Sequence, residues 1–153
     1  MKRKVSFKTR ILLNFSVIIG LFTVGIILFE QQQFKNERTL SLERTLENNA
    51  DIVYRYLNEN SIDLQKEPER VGELLRYMPS DVRFTIINWE GRVLYDNFLD
   101  VSKMENHLKR PEVQKSIGFG NGSNIRISDS DNIKYLYYSK KYDEGYFIRL
   151  AVP

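Results

Sequence analysis

The chain of 153 residues contains no cysteine, which excludes structural disulfides and thiolate metal sites. It contains one histidine, His107, so no histidine-rich metal cluster can form. No charged residue falls between Arg10 and Glu30, and neither glycine nor proline occurs from residue 30 to residue 60. The first gap marks a segment with no place in water, and the second marks a stretch with nothing to interrupt a helix. Beyond the first ten residues there is also no surplus of positive charge. Lys2, Arg3, Lys4, Lys8 and Arg10 all lie in those ten, and removing them turns the formal net charge of +3 into −2. A basic face for nucleic acid is therefore not expected. Internal repeats, low-complexity segments and nucleophile–base pairings are likewise absent, and no cofactor is expected.

What is present begins with ILLNFSVIIGLFTVGIILF at residues 11–29. Nineteen residues at helical rise cover roughly 28 Å, close to the hydrocarbon thickness of a bilayer. Asn14, Ser16 and Thr23 are tolerable in such a helix because their polar groups bond to the backbone or to a neighbour. A cleaved signal would have a shorter apolar core ending at small residues. This one runs into Phe29-Glu30-Gln31 and reads instead as an uncleaved membrane anchor. The five upstream cations place the N-terminus in the cytoplasm and the bulk of the chain outside, at a bacterial inner membrane.

The expected organisation is a basic tail (1–10), a transmembrane helix (11–29), a long juxtamembrane helix (30–60) and an extracytoplasmic domain (61–153). Leu42, Leu46, Ala50, Val53 and Leu57 recur at helical spacing. Their stripe suits packing on the domain's own sheet, or a two-helix seam with a second copy of the chain. Pro68 opens a short helix and Pro79 closes it. Alternation then predicts strands over 82–87 and 92–96 around a turn at Asn88–Gly91. Helical character over 102–117 includes a start at Arg110-Pro111-Glu112, followed by a flexible connection from Gly118 to Ser123. Further strands are predicted over 124–128, 133–141 and 146–152, with turns at 129–132 and 143–145. This order gives an α+β domain of PAS-like type: a five-stranded antiparallel sheet in which the first hairpin lies beside the last strand. That last strand, apolar on both faces, is expected to be interior.

RFTIINWEGRVLYD at 83–96, MENHLKRPEVQKSIGFGNGSNIRIS at 104–128 and IKYLYYSKKY at 133–142 occur in this order. Together they resemble the exported PAS-like sensor domain of bacterial sensor histidine kinases of the phosphate-regulon type. The resemblance covers roughly residues 5–152. It implies the signal-input part of a two-component system, a homodimer, and a signal passed inward from an extracytoplasmic ligand or partner. A ligand-free structural or dimerisation module and a membrane-anchored exported binding protein are the alternatives. The kinase core of that family, with its phosphoacceptor histidine and ATP site, is not in this sequence. The chain is expected to be a sensor half without enzymatic activity of its own.

Candidate ligand-binding residues are Arg83, His107, Arg110, Arg126, Tyr135, Tyr137 and Arg149. Guanidinium forks bind carboxylate or phosphate in pairs of bonds, so converging arginines would suit a small anionic ligand. Paired with acids at the surface, they would only decorate it. Tyrosines with apolar bodies and polar tips suit a small-ligand pocket or an ordinary half-wet sheet. His107 has no companion ligands at metal spacing. It fits a hydrogen-bonded structural role, or ligand contact and pH sensing.

Overall fold

The computed structural model describes residues 6–64, 66–76, 78–128 and 132–153. The basic residues Lys2, Arg3 and Lys4, and most of the turn expected at 129–132, lie outside them. The chain divides into two compact units, Met1–Leu40 and Ser41–Pro153.

Helix α1 (Phe7–Glu59) is one uninterrupted helix of 53 residues. In the first unit its apolar side chains from Ile11 to Phe29 are exposed, and the helix is long and apolar enough to cross a membrane. Such a surface is stable only against lipid or another apolar partner.

In the second unit, Leu46, Ala50, Val53 and Leu57 of α1 are buried in the domain's own core. The stripe is therefore committed to its own sheet. Leu42 alone of the five is exposed. A 3-10 turn (Pro68–Arg70) leads into the short helix α2 (Val71–Leu75), which ends before Met78.

The sheet contains β1 (Arg83–Asn88), β2 (Val93–Asp96), β3 (Asn121–Ile127), β4 (Lys134–Tyr142) and β5 (Tyr146–Val152). Their order is β2-β1-β5-β4-β3, with each neighbouring pair antiparallel. The first hairpin thus lies beside the last strand, as the alternation implies. β5 is the central strand and all seven of its residues are buried.

Because successive side chains alternate, the two faces of the sheet differ in kind. One face presents Phe84, Ile86, Leu136, Tyr138, Tyr142, Tyr146, Ile148 and Leu150 to α1 and α2. The other presents Arg83, Thr85, Tyr137 and Arg149, with a smaller apolar patch of Ile87 and Phe147.

Helix α3 (Pro111–Phe119) covers part of that second face. Pro111 opens it, where the missing N–H costs nothing, and Gly120 closes it at φ 83°. Residues Gly118 to Ser123 are not the flexible connection expected from their glycines. Gly118 and Phe119 finish the helix, and Asn121 to Ser123 begin β3. A Cβ on Gly122 would collide with Lys115 and with the backbone of Glu112. That glycine therefore lets helix and strand approach closely. The helical character expected over 102–117 is also shorter than read. A 3-10 turn covers Val101–Lys103, and residues 104–110 form an irregular strap before α3.

Candidate functional site

The register of the sheet assembles a row of polar side chains across four strands, which ends on a glycine of the fifth. Asp96 of β2 is paired with Thr85 of β1, Thr85 with Arg149 of β5, Arg149 with Ser139 of β4, and Ser139 with Gly122 of β3. A second row sets Arg83 opposite Ala151, and Ala151 opposite Tyr137. These side chains share one face, so residues distant in sequence meet there.

Arg149 Nε donates to Glu112 Oε1 at 2.8 Å and its Nη1 donates to Thr85 Oγ1 at 3.3 Å. Arg83 Nε donates to Asp96 Oδ2 at 3.1 Å, and Thr85 Oγ1 donates to the same oxygen at 2.8 Å. Both ion pairs are sequestered: side-chain exposure is 3% and 0% for Arg149 and Glu112, and 10% and 0% for Arg83 and Asp96. Burial works against the Arg149 charge and lowers its pKa, while Glu112 opposes that shift. Arg126 lies 3.8 Å from Glu112, and its guanidinium stands 4.1 Å from the centre of the Tyr137 ring. The Arg149 guanidinium stands 4.4 Å from the same ring. Tyr137 thus holds two cations by its π face in a water-poor setting, where such contacts are strongest.

The strap over this face is pinned at both ends. Asp96 Oδ1 accepts from the backbone N–H groups of Phe98 and Leu99, and Asp100 caps the 3-10 turn by accepting from Ser102. At the far end, Asn106 Nδ2 donates to Glu90 O, and the His107 N–H donates to Gly91 O. Gly91 has φ 86°, and a Cβ there would collide with Asn106 and Leu108. Only glycine lets the β1–β2 turn hold the strap this closely.

His107 is 5% exposed, with Nδ1 2.8 Å from Glu105 O. Burial, and after it the charges of Arg149 and Arg110, lower its pKa from 6.5 to about 4. At neutral pH the ring is an uncharged member of a cationic wall.

Between strap and sheet lies a cleft of about 420 Å³. Its walls bring together six of the seven candidates: Arg83, His107, Arg110, Arg126, Tyr137 and Arg149. Tyr135 is the exception. It is buried beside Tyr137, ring centres 5.8 Å apart, and does not line the cleft. Lys103 adds a fifth cation to the walls, and Glu105 is their carboxylate. Behind the walls Asp96 and Glu112 offset two of the arginines, so the site keeps an excess of positive charge. Sequence reasoning missed Glu112, Asp96 and Lys103. Glu112 reads as a helix-start marker and Asp96 as a strand end, and both are ordinary surface positions for an acid.

The arrangement can hold an anion: several oriented donors in a partly dry cleft, backed by buried carboxylates that fix them in place. Among the described residues no group of three or more histidine and acidic side chains is placed to hold a metal ion.

No protein-family model matches this chain, and no curated protein is similar to it in sequence. Two solved structures align with this chain. One is the Bacillus subtilis YkuI protein, which carries an EAL domain and was solved with its substrate c-di-GMP and calcium. It aligns over 82% of this chain and 36% of its own, at a TM-score of 0.55 and 12% identity. This chain therefore spans about a third of that protein. The other is the periplasmic sensor domain of a chemotaxis protein, aligned over 75% of this chain and 92% of its own, at a TM-score of 0.44 and 13% identity. At such identities the similarity to YkuI concerns the fold: a long helix followed by a five-stranded antiparallel α+β domain.

Proposed function

We propose that this chain is the signal-input part of a two-component sensor histidine kinase, anchored by α1 with its N-terminus in the cytoplasm. The domain from Ser41 onward binds a small carboxylate- or phosphate-bearing molecule outside the membrane. One observation carries the ligand assignment. Arg83, Arg110, Arg126, Arg149 and Lys103 converge on one cleft whose own carboxylate is Glu105. Converging cations repel one another, and an anion bound among them would relieve that repulsion. The cleft volume is within the range of small-ligand sites. The sensor role is supported by the apolar helix at the N-terminus and by the sequence resemblance.

The test is equilibrium binding to the full chain in lipid nanodiscs, with acetate, succinate, citrate and inorganic phosphate as probes. Saturable binding of at least one, weakened by salt and by Arg110→Ala, is expected. Failure of all four to saturate in the millimolar range would overturn the ligand assignment. A reporter active only in the periplasm, fused after Pro153, should be active. Activity of a cytoplasm-only reporter at that position would reverse the topology.

A further inference from the structure

The polar groups that wall the arginine cleft are mostly donors. Arg83, Arg110, Arg126, Arg149 and Lys103 present N–H groups and no acceptor. The hydroxyls of Ser128 and Tyr137 can turn to either role, and Glu105 is exposed on the strap. His107 differs from all of these, because its role is fixed.

Its Nδ1 lies 2.8 Å from Glu105 O. A carbonyl oxygen only accepts, so Nδ1 carries the ring proton and donates. Burial and the nearby arginines keep the imidazole neutral down to acidic pH. A neutral ring has a single N–H, so Nε2 holds a lone pair and can only accept. The strap fixes where that lone pair lies. The His107 N–H donates to Gly91 O at 2.8 Å, and Asn106 Nδ2 donates to Glu90 O at 2.7 Å.

Nε2 also opens on the cleft. The residue is 5% exposed and lines that volume. Among the described residues Nε2 has no hydrogen-bond partner, and it is not one of the polar atoms sealed from solvent without one. The arginines whose charges act on the ring, Arg149, Arg110 and Arg83, line the same cleft. A fixed acceptor on an almost fully buried side chain thus stands among cations that attract an anion. A plain carboxylate or a sulfate carries acceptors only, and would turn an oxygen lone pair towards that of Nε2. Leu99 and Met104 add an apolar stretch of wall, which suits a carbon body.

We infer that the cleft takes a hydroxycarboxylate: the arginines hold its carboxylate, its hydroxyl donates to His107 Nε2, and its carbon body lies against Leu99 and Met104. This rests on the anion reading given above and narrows it to anions that carry an O–H donor. A hydroxyl that meets Nε2 satisfies both groups. A ligand without one leaves the ring nitrogen facing an acceptor or a methylene in a partly dry site, which costs affinity. Hydrogenphosphate also has an O–H, but it has no carbon body.

The test uses the full chain in nanodiscs at neutral pH with matched anions: glycolate against acetate, malate against succinate and methylsuccinate, and phosphate against sulfate. Methylsuccinate fills the space of the malate hydroxyl without its donor. The better enantiomer of malate should bind about ten times tighter or more than succinate and methylsuccinate, equivalent to about 1.4 kcal/mol. Glycolate should likewise bind tighter than acetate. His107→Phe should abolish the preference and leave succinate binding within a few-fold of that of the unmutated chain. Independently of any variant, the nitrogen NMR spectrum of the His107 ring should show a proton on Nδ1 and none on Nε2. Equal binding of malate, succinate and methylsuccinate would overturn the inference and leave the anion reading intact. So would a proton on Nε2, or a preference that survives in His107→Phe. A preference for phosphate over sulfate, without one for malate over succinate, would assign the donor to hydrogenphosphate and overturn the carbon-bodied occupant. If no anion saturates, the anion reading falls and this inference falls with it.

Discussion

The two faces of one sheet do different work, and β5 shows the division within seven residues. Ile148 and Leu150 point to α1 and join the main apolar core. Arg149, between them, points the other way and joins the Glu112 ion pair at the cleft. Both kinds of residue are buried almost completely. The apolar face gains free energy by leaving water, at about 1.5–3 kcal/mol for each fully buried large side chain. The charged face gains little or nothing from its burial, since desolvation offsets the attraction between the paired ions. A charged wall that contributes so little to stability fits the proposal that it binds a ligand. The contrast therefore separates changes that unfold the domain from changes that only empty its cleft.

The largest effect should come from removing β5. A chain ending at Gly145 deprives β1 and β4 of their shared partner and the core of Ile148 and Leu150. Its domain from Ser41 onward should show no cooperative thermal transition, whereas the chain ending at Pro153 should. A retained transition in the shorter chain would mean that both faces are held by other elements.

Next in size is the ion pair. Arg149→Met leaves Glu112 buried with its closest partner gone, and should cost about 3–5 kcal/mol in chemical denaturation. Adding Glu112→Gln should recover most of that loss, because the stranded charge is removed. If the double variant is no more stable than the single one, the pair carries stability in its own right and the contrast between faces fails.

The faces were not equally legible in the sequence. Alternation along 82–87 and 146–152 disclosed the strands and their order, and the spacing of Leu46, Ala50, Val53 and Leu57 disclosed the helix that covers the core. Apolar burial follows periodicity, so periodicity reveals it. The cleft was legible only in part. Its arginines stand out by type, but the buried acids that hold them, Asp96 and Glu112, look like surface residues until the register places them opposite Thr85 and above Arg149. Gly118 to Ser123 misled because glycine signals freedom in a loop and close approach in a packed strand, and only the presence of α3 decides between them. A helical stripe does not say which apolar surface it meets, and only the structure shows that four of its five residues meet the domain's own core.

The third effect is pH-dependent and belongs to the cleft face alone. With its pKa lowered to about 4, His107 is neutral in the folded chain down to acidic pH. In the unfolded chain it takes up a proton near its ordinary pKa of 6.5. Above that value the residue contributes no pH dependence. As the pH falls from about 6.5 to about 4, the unfolded state binds the extra proton and stability declines, by about 3 kcal/mol in all. His107→Gln should remove this component from the pH profile of chemical denaturation. An unchanged profile would mean that the ring is charged, or solvated, in the folded protein.

The smallest effect on stability should accompany the largest effect on binding. Arg110→Ala removes a cation of the strap that takes no part in the two buried pairs above. It should alter stability less than the Arg149 and His107 variants do, and weaken anion binding about ten-fold or more. Comparable losses in both would show that Arg110 serves the fold rather than the ligand.

The account's central claim, that the arginine cleft takes an anion, has a direct reporter in His107, the only histidine of the chain. Its imidazole resonances can be followed by NMR through a pH titration of the full chain, without and with saturating succinate, citrate, acetate or phosphate. Without an anion the ring should titrate near 4, held down by burial and by Arg149, Arg110 and Arg83. An anion seated among those arginines cancels part of their field, so at least one of the four probes should raise the midpoint by a unit or more, about 1.4 kcal/mol of coupling. A midpoint that none of them moves would contradict the claim.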